Sequence, residues 1–472
     1  MSDAAGDTRT ESDALGTIEV PADRLWGAQT QRALTHFAVG TDRMPIEVIR
    51  AYAVVKLAAA RVNVRDGRLP EELGALIERA CQEVLNGTLD DEFPIGVFQS
   101  GSGTPTNMNV NEVIANRANV LAGGALGAKE PVHPNDHVNM AQSTNDTFPT
   151  AMHVAAVDAV TRDLLPALGA LREALDAKAR AWADVVKIGR THLQDATPIT
   201  VGQELSGHVA QLDDAIADVR GGLDGVLRLA IGGTAVGTGL NAPASFGADV
   251  SAEIAARTGH PFVPAPNPFA ALASIDDIVR LSARLRSLSA ALFKLANDMR
   301  WLGSGPRAGL GELHLPANEP GSSIMPGKVN PTQAEVLLQV CVAVTGLDTT
   351  VHLAGSEGNL QLNVFRPVAI DAVLRAVRLL ADATGTFRAH LVEGLEIDRV
   401  QLERNVERSV MLVTALTPTI GYDKAAAIAH LAVAEDLPLR DAALASGHIS
   451  AADFDRIVVP RDLTTPGRPD EA

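Results

Sequence analysis

The sequence predicts an all-α protein organised around a bundle of long helices, and three observations carry that expectation. An apolar stripe runs from Ile275 to Leu302 at helical spacing. Strand-like alternation is nearly absent beyond short pieces near the start. Aromatic residues supply only 3% of a chain that is 46% hydrophobic, so Ala, Leu and Val must fill the interior. Small or unbranched side chains of that kind suit helices packed closely on helices.

The stripe is the clearest element. Ile275, Ile278, Leu281, Leu285, Leu288, Leu292, Leu295, Met299 and Leu302 follow steps of three and four, which places them on one helical face. At 1.5 Å per residue such a helix extends roughly 40 Å, a length usual in bundles. Similar patterns fill Thr150 to Val186, with a kink expected at Pro166, and Gln203 to Leu229. The stretch from Ala334 to Val351 is apolar nearly all round, through Val336, Leu337, Leu338, Val340, Val342 and Val344. A helix of that kind must be buried on every face, here by other subunits. The tail from Thr464 to Ala472 reads as disordered.

Composition narrows the function. A formal charge of −17, from 57 acidic and 40 basic residues, repels phosphate backbones and anionic lipid, so nucleic-acid and membrane-surface roles are disfavoured. The uncharged run Leu229 to Ala248 is broken by glycines and the run Thr258 to Ile275 by prolines, so neither reads as a membrane helix. Cys81 and Cys341 stand far apart and read as buried apolar thiols; they cannot alone build a disulfide framework, a zinc knuckle or a cysteine-ligated cluster. Met1 to Asp13 shows neither the apolar core of a secretory signal nor an Arg-rich amphipathic stretch, which points to the cytoplasm.

Four polar clusters interrupt the helices: Gly101 to Asn111, His133 to Asp146, Gly189 to Pro198, and Gly321 to Glu335. Each is rich in Ser, Thr, Asn, His and Gly and abuts a long apolar helix. Gly321-Ser-Ser-Ile-Met-Pro-Gly-Lys-Val-Asn-Pro331 resembles the signature of the fumarase/aspartase superfamily. Around it, Gly101-Ser-Gly-Thr104, Asn107-Met-Asn-Val-Asn-Glu112, His133-Pro-Asn-Asp136, Gln142-Ser-Thr-Asn-Asp146 and Gly189-Arg-Thr-His-Leu-Gln-Asp-Ala-Thr-Pro198 are similar to class II fumarases, in the family's order. The similarity extends from about Thr17 to Asp455. It implies the fumarase/aspartase fold: an N-terminal lyase domain (1–141), a central helical bundle (142–399) and a C-terminal helical domain (400–472). It also implies a homotetramer whose active sites are each shared between three subunits, reversible hydration of fumarate to L-malate, and no metal or other cofactor.

The residues make chemical sense for that reaction. Moving a proton on carbon beside a carboxylate passes through a carbanion whose charge spreads onto the carboxylate oxygens. A catalyst needs a base at carbon, donors at those oxygens, and an acid for the leaving hydroxyl. Lys328 supplies fixed positive charge, while Asn330 and backbone N–H groups supply directed hydrogen bonds. By resemblance Ser322 is the catalytic base, a demanding role for a hydroxyl, which requires an alkoxide stabilised by nearby N–H groups and Lys328. His192 then acts at the hydroxyl through a water, as an imidazole can near neutrality, and Glu335 orients and charges it. Ser102, Gly103, Thr104, Ser143, Thr144 and Asn145 offer short neutral donors for a carboxylate. Thr191, Ser323, Lys328 and Asn330 complete the dianion cradle. Ser, Thr and Asn ahead of a helix are equally ordinary N-caps.

Two departures from the family stand out. Ser143-Thr144-Asn145-Asp146 replaces the common Ser-Ser-Asn-Asp and keeps a hydroxyl. His133, Pro134, Asn135 and Asp136 resemble a secondary dicarboxylate site, yet Glu130 and Pro131 stand where members often carry a basic residue; helix capping is the alternative reading there. Among rivals, aspartate ammonia-lyase typically has Thr-Gln where this chain has Thr191-His192, so His192 favours water over ammonia. Gly237-Thr-Gly-Leu-Asn-Ala242 imitates a dinucleotide-binding turn but has no βαβ frame around it.

Overall fold

The computed structural model describes residues 7–467, and helices dominate it. The nine stripe residues from Ile275 to Leu302 are all buried, and all but the first lie on the helix Asp276–Leu302. Val201–Val226 buries Val201, Leu205, Val209, Leu212, Ile216, Val219, Leu223 and Val226 at the same spacing. Thr332–Ser356 and Arg366–Phe387 complete the set of long helices.

Contacts divide the chain into two compact units, and the chain passes between them within these four helices and within Leu165–Ala181. The first unit holds 1–166, 217–289 and 341–381; the second holds 167–216, 290–340 and 382–472. In the first, the buried helix Ile46–Arg65 packs against Glu71–Leu85, Thr144–Ala159 and Phe246–Thr258. In the second, a core of Leu412, Val413, Leu416, Ile428, Leu439 and Phe454 gathers the C-terminal helices and takes in Ile188.

Thr332–Ser356 behaves differently from its neighbours. It buries Leu337, Leu338, Cys341, Val344 and Val351 but leaves Val336 44%, Val342 65% and Leu353 60% exposed. It is also the one helix, among the described residues, long and apolar enough to cross a membrane. Glu335 and Asp348 lie on it, and Asp348 pairs with Arg286 at 2.7 Å and accepts from Ser282 at 2.7 Å. Its apolar surface therefore exceeds what one chain covers, as the all-round apolar pattern anticipates.

Three local outcomes differ from the sequence expectation. Ahead of Pro166 the helix Thr144–Ala159 widens into a π turn, Val160–Leu164, before Leu165–Ala181 continues. Proline has no N–H to offer a carbonyl one turn earlier, and an adjusted turn of this kind is a usual response. The helical pattern expected as far as Val186 ends at Ala181. Val186–Thr191 and Gln194–Thr200 instead form an antiparallel hairpin. A shorter hairpin, Thr8–Asp13 with Gly16–Pro21, matches the expected strands near the start. Finally, Thr464 ends a short 3-10 helix, Pro460–Thr464, and its carbonyl accepts from Gln203 Nε2 at 2.8 Å, so ordered structure reaches further than expected. The last part of the tail expected to be disordered, residues 468–472, lies outside the described residues.

Candidate active site

Two of the four polar clusters meet in the first unit, at the starts of two helices. Gly103, at φ 83°, is the N-cap of Thr104–Leu121; a Cβ there would sit 2.0 Å from the Phe148 ring on the helix Thr144–Ala159. Only glycine permits that approach, and it brings the two helix N-termini together. Ser102 Oγ lies 2.9 Å from Thr104 Oγ1. Ser143 caps the second helix: its Oγ accepts from Asn145 N, and Asp146 returns the bond from Ser143 N at 3.0 Å. The capping alternative is thus realised at Ser143. Thr144 Oγ1 accepts from Asn107 Nδ2 at 2.9 Å, and Asn145 Nδ2 donates to Ala235 O at 2.8 Å. Two helix N-termini brought together with small polar side chains suit an anion.

In the second unit, Ser322, Ser323, Lys328 and Asn330 lie on an irregular loop that closes on itself. Asn330 Nδ2 donates to Gly321 O, and Lys328 Nζ donates to Asn330 Oδ1 at 2.9 Å. A Cβ on Gly321 would stand 1.7 Å from Lys328 O, so this glycine serves close packing. Ser322 Oγ accepts two backbone N–H groups, from Ile324 at 3.3 Å and Met325 at 3.0 Å. Those donors are aimed at the atom that would carry an alkoxide charge. Glu335 sits half-buried in the first turn of the following helix.

Thr191 and His192 are exposed at the tip of the hairpin. His192 and Leu193, at φ 56° and 60°, are the two loop residues between the paired Thr191 and Gln194. Two consecutive positive φ values mark a type I′ turn, which normally takes Asn-Gly, so no turn signal shows in the sequence. Each non-glycine residue there costs roughly 1–2 kcal/mol. Such strain persists where the surroundings fix the strands, and the base of this hairpin is fixed. Lys187, 1% exposed, donates to both Glu204 oxygens at 2.8 and 2.7 Å and lies 2.9 Å from Glu312. Glu312, also 1% exposed, accepts from Arg190 at 2.6 Å and Asn405 at 3.0 Å. Burial pushes the Glu312 carboxyl up, but Arg190 and Lys187 outweigh it and hold it below its ordinary value. Its stabilisation is therefore present at neutral pH and lost as pH falls through the lowered carboxyl value. Lys187→Met removes one partner of a buried pair and is expected to cost about 3–5 kcal/mol in chemical denaturation; a loss below about 1 kcal/mol would show that the network does not fix the hairpin.

Among the described residues, no hydrogen bond joins His192 to Ser322 or to Glu335, although all three belong to the second unit. Nor does any group of three or more His, Cys, Asp or Glu offer a metal a place among them. The remaining expected residues, His133 to Asp136, stand at a π turn, Pro134–Val138, whose N-cap is His133; its Nδ1 accepts from Asn135 N at 3.2 Å and Asp136 N at 3.1 Å. Burial lowers the His133 imidazole below its ordinary value, against the pull of Asp136. A cleft of 220 Å³ beside it is lined by Glu11, Asp13, Glu112, Lys129, His133 and Asn135. Lys129, one residue before Glu130, brings a basic group to this cleft.

Comparisons with known proteins agree over nearly the whole chain. The lyase family profile matches residues 16–346, and a fumarase C C-terminal profile matches 412–465. A class II fumarate hydratase of Methanosarcina acetivorans is 59% identical over 98% of this chain and 96% of its own length. One from Pseudomonas aeruginosa is 59% identical over 98% and 99%. The crystal structure of a recombinant class II fumarase from Schistosoma mansoni superposes with a TM-score of 0.96 at 43% identity, covering 98% of this chain and all of that one.

Proposed function

The chain belongs to the class II fumarate hydratase family of lyases, and we propose that it works through a site assembled from three copies of itself, with Ser322 as base and His192 as acid–base group. It is a hydro-lyase that interconverts fumarate and L-malate, a step of the tricarboxylic acid cycle. The observation that carries the mechanistic reading is the pair of backbone N–H groups aimed at Ser322 Oγ.

In the hydration direction, one carboxylate of fumarate lies against the donors at Ser102–Thr104 and Ser143–Asn145. Thr191, Ser323, Lys328 and Asn330 receive the dianion from the other sides. A water held by His192 loses a proton to the imidazole as its oxygen bonds to one alkene carbon. The electron pair moves onto the second carbon and into its carboxylate, where Lys328 and Asn330 offset the charge. The Ser322 hydroxyl then delivers its proton to that carbon, leaving an alkoxide under the N–H groups of Ile324 and Met325 until a proton returns. Glu335 holds the imidazole charged at the intermediate stage.

Assembly from several copies rests on two features. The helix Thr332–Ser356 exposes Val336, Val342 and Leu353, a surface suited to other copies of the same helix. His192 and Ser322 each lie on accessible segments without a hydrogen bond between them, as residues would if each completed a site with another chain. We infer a cytoplasmic enzyme, as the N-terminal sequence suggests. Purified protein should form malate from fumarate at an undiminished rate after exhaustive chelation, and release no ammonia from aspartate. Loss of hydratase activity on chelation, restored by iron, would overturn this reading.

A further inference from the structure

Lys56 is a fully buried lysine that the mechanism above does not use. It lies in the middle of the helix Ile46–Arg65, and its Nζ donates to Asn139 Oδ1 at 2.9 Å and Gln142 Oε1 at 3.0 Å. Asn139 Oδ1 also accepts from Asn107 Nδ2 and Asn111 Nδ2, each at 3.3 Å, so three donors from two helices converge on one oxygen. Asn139 and Gln142 belong to the turn that leads directly into Ser143, Thr144 and Asn145. Asn107, which shares Asn139 with the lysine, donates to Thr144 as well. Lys56 thus reaches Thr144 by a hydrogen-bonded route through Asn139 and Asn107, and Ser143 along the chain from Gln142.

Its charge lies there too. The donors at Ser102–Thr104 and Ser143–Asn145 are neutral, and the chain as a whole carries −17, yet a dianion must be drawn in. Behind these donors lie two buried cations, Lys56 and Arg366, and one buried anion, Asp146. Arg366 Nη1 donates to Asn145 O at 2.8 Å, and Asp146 accepts from Gly232 N and Thr234 N at 3.0 and 2.9 Å. A charge at that depth is little screened and acts on a ligand across neutral groups. We propose that Lys56 is a positioning residue for substrate binding, holding the Asn139–Gln142 turn and placing positive charge beneath the Thr144–Asn145 cradle. The inference rests on the reading that Ser143–Asn145 receive a substrate carboxylate.

The charged and titratable groups acting on Lys56 are Asp146 at the start of Thr144–Ala159 and Cys81 on Glu71–Leu85, while Tyr52 presents its ring at 5.8 Å. Burial pulls the ammonium down to about 7, against the attraction of Asp146, and burial pushes Asp146 up to about 6 and Cys81 up to about 12. The protonated amine is the form that attracts a dianion, so the wild-type KM for fumarate should rise as pH climbs above 7.

Lys56→Met should raise that KM about tenfold while lowering kcat less than about threefold. Lys56→Gln, which can keep the hydrogen bonds without the charge, should raise KM in the same sense by less and fold if the Met variant does not. Both should flatten the rise of KM with pH. Asn145→Ala serves as the control on the binding site itself and should raise KM. If Asn145→Ala raises KM while both Lys56 variants stay within about twofold of wild type, the proposal falls and the binding reading stands. A loss confined to kcat with lowered thermal stability would mark a merely structural lysine and also overturn it. If Asn145→Ala leaves KM unchanged, the binding reading fails and takes the proposal with it.

Discussion

Ser322→Ala is expected to lower kcat and kcat/KM together by roughly 10³-fold, with little change in stability. The hydroxyl is the only group on its loop that two backbone N–H donors single out, Ile324 and Met325. Loop closure depends instead on the Asn330 bond to Gly321 and on Gly321 packing against Lys328 O, neither of which uses Oγ. Ile324 and Met325 are exposed, so their N–H groups find water when the hydroxyl is removed. The folded state should therefore lose less than about 1 kcal/mol. His192→Asn should lose roughly 10²–10⁴-fold and should also lose the limb of the pH–rate profile that an imidazole supplies. Asparagine is the informative replacement, because His192 holds φ 56° and asparagine accepts the left-handed region better than alanine. Stopped-assay turnover alongside thermal melting separates the two effects. Near-normal turnover in either variant would remove that residue from its assigned role.

The contrast between the two loops explains what the sequence made legible. Helical periodicity is an averaged property, so the stripe from Ile275 to Leu302 reads directly, and every member of it is buried. The residues assigned to chemistry were legible because they lie close together along the chain: Ser322 to Asn330 form one loop, and Ser143 to Asn145 begin one helix. The hairpin carrying His192 was not legible as a hairpin. Its turn uses His192 and Leu193 in place of Asn-Gly, and its register shifts between Ile188 and Arg190. What holds it comes from distant positions, Glu204, Glu312 and Asn405, and no local pattern encodes their meeting. Lys56 escaped notice for the same reason. In sequence it is one of four cations on its helix, with Arg50, Arg61 and Arg65; only the packing of Thr104–Leu121 and the Asn139–Gln142 turn gives it buried partners. At the secondary cluster the sequence weighed Glu130 and Pro131 and passed over Lys129, which lines the cleft beside His133.

The helix Thr332–Ser356 ties these strands together. Its exposed Val336, Val342 and Leu353 ask for apolar partners, and its first turn carries Glu335 directly after the Ser322 loop. The proposed assembly has copies of the chain meet along this helix, with the loop and the hairpin of each site supplied by different copies.

Mixed refolding of two inactive variants tests that architecture most directly. His192→Asn and Ser322→Ala proteins are unfolded together in equal amounts, refolded, and assayed for malate formation. With the two residues drawn from different chains, each site takes its His192 and Ser322 segments independently. Roughly one site in four (a half times a half) then carries both wild-type groups. Activity should return to about a quarter of a wild-type control refolded in parallel, provided sites act independently. With both residues supplied by one chain, every site would still lack one of them. No recovery, from a mixture that native mass spectrometry shows to contain hybrid assemblies, would contradict the shared site.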